Sequence, residues 1–345
     1  MRDAPFPSTR YLGSKRKLLP ALEPVLRALG PDAALDPFSG TAAVAHLLKR
    51  LGARVTASDA LEANAVAARA LVVNPGARLG ALAARLVEGL PDASRAPGFV
   101  ERTFDGVFFE RDENRFVDQI LPRVDALPGH LRDLALWALF QACLAKRPYN
   151  LFHRANLAMR RREVARSFGN KATWDTPFAA LFARFAAEGD AAVFDSGRAC
   201  LALAADASEI DAGGYDLVYL DPPYVSARGQ GVDYLDYYHF LEGLCRPGTW
   251  GARILRRYRH LPLAGRGESP WSDPARVSAA FEGAIARFSA ARLVVSYRSD
   301  GIPAIGEIAR WLAKAGKRVE VIDLGSYTYA LSRNRASREM ILVGR

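Results

Sequence analysis

Cysteine is scarce in this chain. Cys143, Cys200 and Cys245 lie far apart among 345 residues. An odd, scattered set builds no disulfide framework, so a reducing, cytoplasmic setting is expected. Long apolar runs are also missing. The best, Leu134 to Ala145, falls short of the roughly 20 residues that a membrane span requires and contains Gln141. No membrane partner is expected. No secretory signal is legible either, because Met1 to Pro20 is polar and basic with no apolar segment. The five histidines (His46, His130, His153, His239 and His260) are scattered without ligand spacing, so no metal is expected.

What is present is an ordinary core and an excess of positive charge. Half the residues are hydrophobic and 24% are charged, which excludes disorder for the chain as a whole. There are 47 Lys and Arg against 37 Asp and Glu, a net charge of +10. That balance points to a polyanionic partner and says nothing of fold.

Along the chain, helix and strand alternate at both ends. Lys15 to Leu29 has apolar residues at helical spacing and stops at Gly30 and Pro31. Ala33 to Leu35 reads as a strand, Thr41 to Leu51 as a helix, and Arg54 to Ser58 as a second strand ending in Asp59. This is one βαβ unit, which implies a parallel sheet. From Pro75 to Asp190 the patterns are helical, with little strand signal. Strands resume at Asp216 to Leu220, Leu293 to Tyr297, Val319 to Leu324 and Met340 to Val343. The simplest plan is an α/β domain over residues 1–74 and 191–345, interrupted by a helical, basic insertion at 75–190.

Two motifs carry chemistry. Asp36-Pro37-Phe38-Ser39-Gly40-Thr41-Ala42 follows the first strand. A glycine turn lets a ligand approach the backbone, and the helix behind it offers free N–H groups. Asp59 follows at about the 20-residue spacing at which dinucleotide folds bind a ribose. The turn is no G-x-G-x-x-G, so a nucleoside without pyrophosphate fits better. An ordinary tight turn with a surface aspartate has the same spacing, and the motif alone leaves both readings open. The second motif is Asp221-Pro222-Pro223-Tyr224, after the apolar run Leu217 to Leu220. Together these residues supply two acceptors for an amino group, a rigid backbone and an aromatic face. That set suits the exocyclic amine of a nucleobase held out of its helix.

In this order, together with Arg10-Tyr11-Leu12-Gly13-Ser14-Lys15, the motifs resemble those of S-adenosylmethionine-dependent DNA adenine N6 methylases. The resemblance is to the class whose target-recognition region lies between the cofactor and catalytic motifs. It implies a Rossmann-like methyltransferase sheet, mostly parallel with an antiparallel edge. It implies that Tyr11 and Lys15 border the cofactor's methionine end, with Asp36, Phe38, Ser39, Gly40 and Thr41 as the cofactor loop. Asp59 would hold the ribose, and Asp195 lies where the family often contacts the cofactor's adenine. Asp221 and the Pro222 carbonyl would accept from the target amine, Pro223 would hold the turn, and Tyr224 would stack on the flipped base. Val294-Val295-Ser296-Tyr297 resembles a later motif lining the target pocket. One departure is Ala42, where the family commonly has a second glycine.

The expected reaction is methyl transfer from the sulfonium to adenine N6 in duplex DNA, largely by positioning. N4-cytosine methylation uses equivalent amine chemistry and remains an alternative, as does a non-catalytic DNA-binding protein on a decayed methylase fold. Ring-carbon methylation of cytosine is disfavoured, because none of the cysteines follows a proline. DNA contacts are expected in Lys146 to Asp175, where Lys146, Arg147, Arg154, Arg160, Arg161, Arg162, Arg166 and Lys171 face only Glu163 and Asp175, with Asn170 among the DNA-binding residues. A second basic stretch, with Arg253, Arg256, Arg257, Arg259 and Arg266, has no acid from Gly251 to Gly267. Duplex DNA in the nucleoid is the expected partner, with a cognate restriction endonuclease as a further one.

Overall fold

Among the described residues seven strands form one sheet, and their side chains explain why it needs helices on both faces. The computed structural model describes residues 4–162, 170–265, 269–326 and 337–345. The strands are β1 (Ala33–Asp36), β2 (Arg54–Asp59), β3 (Leu201–Ala204), β4 (Leu217–Leu220), β5 (Arg292–Arg298), β6 (Val319–Ser326) and β7 (Arg338–Gly344). Their order is β3-β2-β1-β4-β5-β7-β6. The first five are parallel neighbours, and β7 runs antiparallel to both β5 and β6. A mostly parallel sheet with an antiparallel edge was the expected fold.

Successive residues of a strand point to opposite faces. Ala34, Leu217, Tyr219, Val294, Ile341 and Val343 therefore share one core, with helices Leu19–Leu29 and Ala43–Arg50. Leu35, Val218, Leu220, Val295 and Leu342 share the other, with helices Val277–Arg287 and Ile305–Lys314. Burying such a side chain contributes about 1.5–3 kcal/mol, so strands read as continuous apolar runs rather than as alternating ones.

β3 was not anticipated. Its sequence, Leu-Ala-Leu-Ala, favours helix, and its residues are only partly covered. Pairing with β2, from Thr56↔Leu201 to Asp59↔Ala204, makes it a strand.

The helical body also departs from a simple insertion. Helix Gly129–Ala145 is buried almost all round, as its uniform apolarity requires. It packs in one core with Val66 and Leu71 from behind β2, and with Phe240, Leu244 and Trp250 from after β4. Helices Tyr234–Cys245 and Pro247–Arg253 thus join the helical body from the far side of the Asp-Pro-Pro-Tyr motif. The expected boundary at 190 follows chain order, whereas the apolar contacts run across it.

Candidate active site

The sheet order reverses between β1 and β4, and ligands of open α/β sheets bind beyond the carboxyl ends of strands at such a point. Asp36 ends β1 and Asp221 follows β4, so the two expected motifs open side by side. A cleft of about 2470 Å³ takes in the Tyr11–Lys15 segment, the glycine turn, Asp59 and the Asp-Pro-Pro-Tyr turn.

The glycine turn is tied down by backbone geometry. The Ser39 N–H donates to the Ser58 carbonyl at 2.8 Å, which folds the turn back onto β2. Gly40 has φ 50°, and its N–H donates to Asp59 Oδ2 at 2.9 Å. The other Asp59 oxygen accepts from the Leu61 N–H at 2.9 Å, joining the carboxylate to the start of helix Glu62–Ala68. Ala42 adopts φ 64°. That left-handed conformation costs an L-residue roughly 1–2 kcal/mol, and it explains why a glycine would suit this position.

Two polar atoms in the turn, Asp36 Oδ1 and Ser39 Oγ, are buried with no hydrogen-bond partner among the described residues. Burial, with Asp221 nearby, pushes the Asp36 carboxyl well above its ordinary range. An unpartnered buried acceptor of this kind costs free energy until a donor or a cation reaches it. A ligand bearing an ammonium group beside the turn meets that need.

The opposite wall is built on Asp221. Lys15 Nζ lies 2.7 Å from both of its oxygens and 3.8 Å from Glu339 Oε1. It also sits 4.7 Å from the centre of the Tyr224 ring. Tyr224 donates its hydroxyl to Glu339 Oε1 at 2.7 Å, and Ser296 donates to the same oxygen. Burial raises Asp221 to about 6, the Lys15 ammonium pulls it down, and Glu339 pushes it up. Lys15, expected at the cofactor's methionine end, is thus bonded to the Asp-Pro-Pro-Tyr side of the cleft. Tyr11 does lie on the turn, since a Cβ on Gly40 would sit 3.7 Å from its ring. It also stacks on Tyr238, with ring centres 4.3 Å apart and nearly parallel. The Leu12 N–H donates to the Tyr238 hydroxyl at 2.7 Å, so helix Tyr234–Cys245 clamps the N-terminal segment.

Asp195 does not belong to this assembly. It is exposed beside Pro75 and Phe194 in a separate shallow hollow, where Oδ1 accepts from the Gly197 N–H at 2.8 Å. The acids that line the cleft on that side are Glu209 and Asp206, the latter two residues beyond β3. An acid just past a strand end was the available signal, and it was lost because β3 was not read as a strand. Glu339 left no signal of its own, because only the antiparallel pairing of β7 with β5 brings it opposite Arg298 and near Asp221.

The basic insertion is rearranged more deeply. Lys146, Arg147 and Arg160 are buried, which removes them from any phosphate-facing surface. Arg160 makes a two-pronged pair with Glu113 at 2.6 and 2.7 Å, and Lys146 reaches the same carboxylate at 2.8 Å. Arg147 donates to the carbonyls of Leu151, Phe108 and Arg154 at 3.1, 3.2 and 2.8 Å, with its guanidinium over the Phe108 ring. Burial lowers it to about 9. Arg161 is exposed but paired with Glu110, and Lys171 pairs with Asp175 one turn on. Arg154 and Arg162 are exposed. Tyr149, 58% exposed, stands with Asn150 on two successive left-handed residues at φ 61° and 58°. Arg166 and the Asn170 side chain lie outside the described residues.

Among the described residues, no cluster of three or more His, Cys, Asp or Glu side chains is arranged to hold a metal, and no helix is long and apolar enough to cross a membrane. A family model described as D12 class N6 adenine-specific DNA methyltransferase matches residues 11–243. The chain is also 25% identical over 333 residues to the type II methyltransferase M2.HphI of Haemophilus parahaemolyticus, covering 94% of this chain and 92% of that protein.

Proposed function

The chain belongs to the D12 class of N6 adenine-specific DNA methyltransferases, and from that premise we propose how its own residues carry out the transfer. S-adenosylmethionine, the methyl donor general to such enzymes, supplies when bound a methyl group made electrophilic by its sulfonium. The observation that carries the proposal is the pairing at the switch point, with unpartnered Asp36 Oδ1 and Ser39 Oγ on one side and Asp221 on the other.

Asp36 and Ser39 fit the donor's ammonium and carboxylate end, with Phe38, Gly40 and Thr41 lining the same cleft. Asp59, fastened to the turn and to Leu61, holds the ribose hydroxyls, and Asp206 takes the place first given to Asp195 at the adenine edge. On the opposite wall, Asp221 and the Pro222 carbonyl accept hydrogen bonds from the two N–H groups of the adenine amine. Its lone pair is thereby released from the ring and aimed at the methyl. Pro223 holds the turn and Tyr224 stacks on the base. Lys15 keeps Asp221 ionised despite burial, and Glu339 with Ser296 fixes the Tyr224 hydroxyl. A carboxylate has room for both Lys15 and the amine, since its two oxygens offer about four acceptor sites. The type II name of M2.HphI supports a restriction setting in the cytoplasm, with a nuclease for the same sequence as partner.

Purified protein with labelled donor should place N6-methyladenine in duplex DNA. Asp221→Ala should lower kcat by about 10²–10⁴, and full activity in that variant would sink the assignment. The pH profile gives a second test. Asp221 accepts a proton only when ionised, so kcat/KM should rise with pH and level off above about 6. Below that value it should fall about tenfold per unit. Lys15→Met removes the cation that lowers Asp221, so its acid limb should move to higher pH. A limb that stays in place would separate Lys15 from Asp221.

A further inference from the structure

The cleft has a second basic neighbour that its chemistry does not use. Residues 253–264 leave the end of helix Pro247–Arg253 and return to the cleft wall at Gly265; both Arg253 and Gly265 line the cleft. The segment is a closed, preformed arm. Ile254 and Leu263 form an antiparallel bridge and are buried in the helical core. The Ala264 N–H donates to Arg253 O at 2.7 Å, and the Leu255 N–H to Pro262 O at 2.8 Å. Two inner turns follow, Tyr258 N–H to Leu255 O at 3.2 Å and Leu261 N–H to Tyr258 O at 3.0 Å, with Leu261 held at φ 54°. His260 bonds Asp236 at 2.9 Å, which pins the arm to the helix that carries Tyr234 and Tyr237 into the cleft.

The tip of the arm is Arg256, Arg257, Tyr258 and Arg259, all exposed. The Arg257 guanidinium lies 4.9 Å from the centre of the Tyr258 ring. None of the three arginines has a carboxylate within ion-pair distance among the described residues. Most other arginine-rich positions of this protein have one, as Arg69, Arg115, Arg132, Arg160 and Arg161 do. Three like charges within four residues repel one another, and a polyanion relieves that repulsion. Guanidinium is also the group best matched to phosphate oxygens.

We propose that this arm grips the phosphate backbone of duplex DNA beside the target base, without reading sequence. The proposal rests on the DNA-methylating reading of the cleft. Its rigid backbone means that little order is lost on binding, and its anchoring to the Tyr237 helix puts the phosphate grip next to the base site.

The test compares the parent with R256A/R257A/R259A and with the corresponding triple lysine variant. Duplex affinity is read by fluorescence anisotropy over a range of salt. Each lost phosphate contact lowers the steepness of log K against log salt by about 1. The alanine variant should therefore lose up to about 3 from that slope, equally for duplexes with and without a methylated site. Lysines should restore most of the slope. Melting temperature and donor binding should stay at parental values, and the KM for DNA should rise while kcat at saturating DNA is kept. A parent that methylates DNA alongside an alanine variant with unchanged affinity and slope overturns the arm. So does a loss confined to the methylated site, which would make the arm a base reader. A parent that never methylates DNA refutes the reading of the cleft instead, whatever the arm does.

Discussion

Two arginine-rich stretches of this chain look alike on paper and do opposite things in the fold. Residues 146–161 hold Lys146, Arg147, Arg154, Arg160 and Arg161, and residues 253–259 hold Arg253, Arg256, Arg257 and Arg259. The first set is largely turned inward. Glu113, on the helix Arg111–Asp125, collects Lys146 and Arg160, and Glu110 at the cap of that helix collects Arg161. In the second set, Arg256, Arg257 and Arg259 stand in solvent and pair with no carboxylate among the described residues. Both windows show a surplus of positive charge when counted along the chain. The partners that neutralise one of them come from more than 30 residues away, by the numbering of Glu113 and Lys146. A charge count over a window therefore measures composition and leaves the direction of the side chains open.

This contrast can be broken by substitution, and the largest effect should come from Arg147. Arg147→Ala leaves three backbone carbonyls buried without a donor and opens a gap under Phe108. A loss of roughly 3–5 kcal/mol is expected, read as a fall in the denaturation midpoint. A stable Arg147→Ala protein with weakened DNA binding would reverse the assignment of the two stretches.

Arg160→Ala should come next, at roughly 2–3 kcal/mol, because Glu113 keeps Lys146 as a partner. This variant also carries a pH signature. Burial raises the Glu113 carboxyl, but Arg160 and Lys146 outweigh it and hold the group below its ordinary value. Its stabilising contribution is therefore present at neutral pH and is lost as pH falls through the folded value. Removing Arg160 shrinks that contribution, so the acid destabilisation of the variant should be shallower than the parent's. Parallel curves would mean that the pair does not carry the charge linkage.

Arg161→Ala should cost less than about 1 kcal/mol, since both partners are more than one-third exposed. It tests whether the outward face of the same stretch belongs with the buried set or with the DNA. A normal melting temperature and an unchanged salt slope would leave Arg161 as a surface ion pair. A slope reduced by about 1 would join it to the arm. The smallest effect on stability should come from the arm itself, whose three exposed arginines pair with no carboxylate among the described residues.

The same division runs through the fold. Six of the seven described strands are legible in the chain as short segments rich in apolar and β-branched residues between turn residues. β3 is not, because Leu201 to Ala204 is a helix-favouring tetrapeptide that becomes a strand only by pairing with the edge of β2. The expectation for Asp195 rests on the resemblance, and without β3 nothing in the chain singles out Asp206, which lines the cleft. The glycine turn, Asp59 and the Asp-Pro-Pro-Tyr turn were legible because each is a short local motif whose backbone chemistry is written in adjacent residues. Glu339 was hidden among the residues of a terminal strand, and only strand pairing brings it to Tyr224 and Lys15.

The amino-acid sequence by itself determined what is local: the strand and helix periods, the turns that end β1 and β4, and the chemistry of the residues in those turns. Such features depend on neighbours one to four positions away, where covalent geometry already restricts the chain. Tertiary structure alone decided what depends on distant partners. It placed Lys15 on Asp221, added Glu339 to the wall that carries Asp221, drew the basic residues around Glu113 inward, and left Arg256, Arg257 and Arg259 facing water. An ionic group takes its role from whatever carboxylate, carbonyl or solvent surrounds it, and that surrounding exists only after the chain has folded.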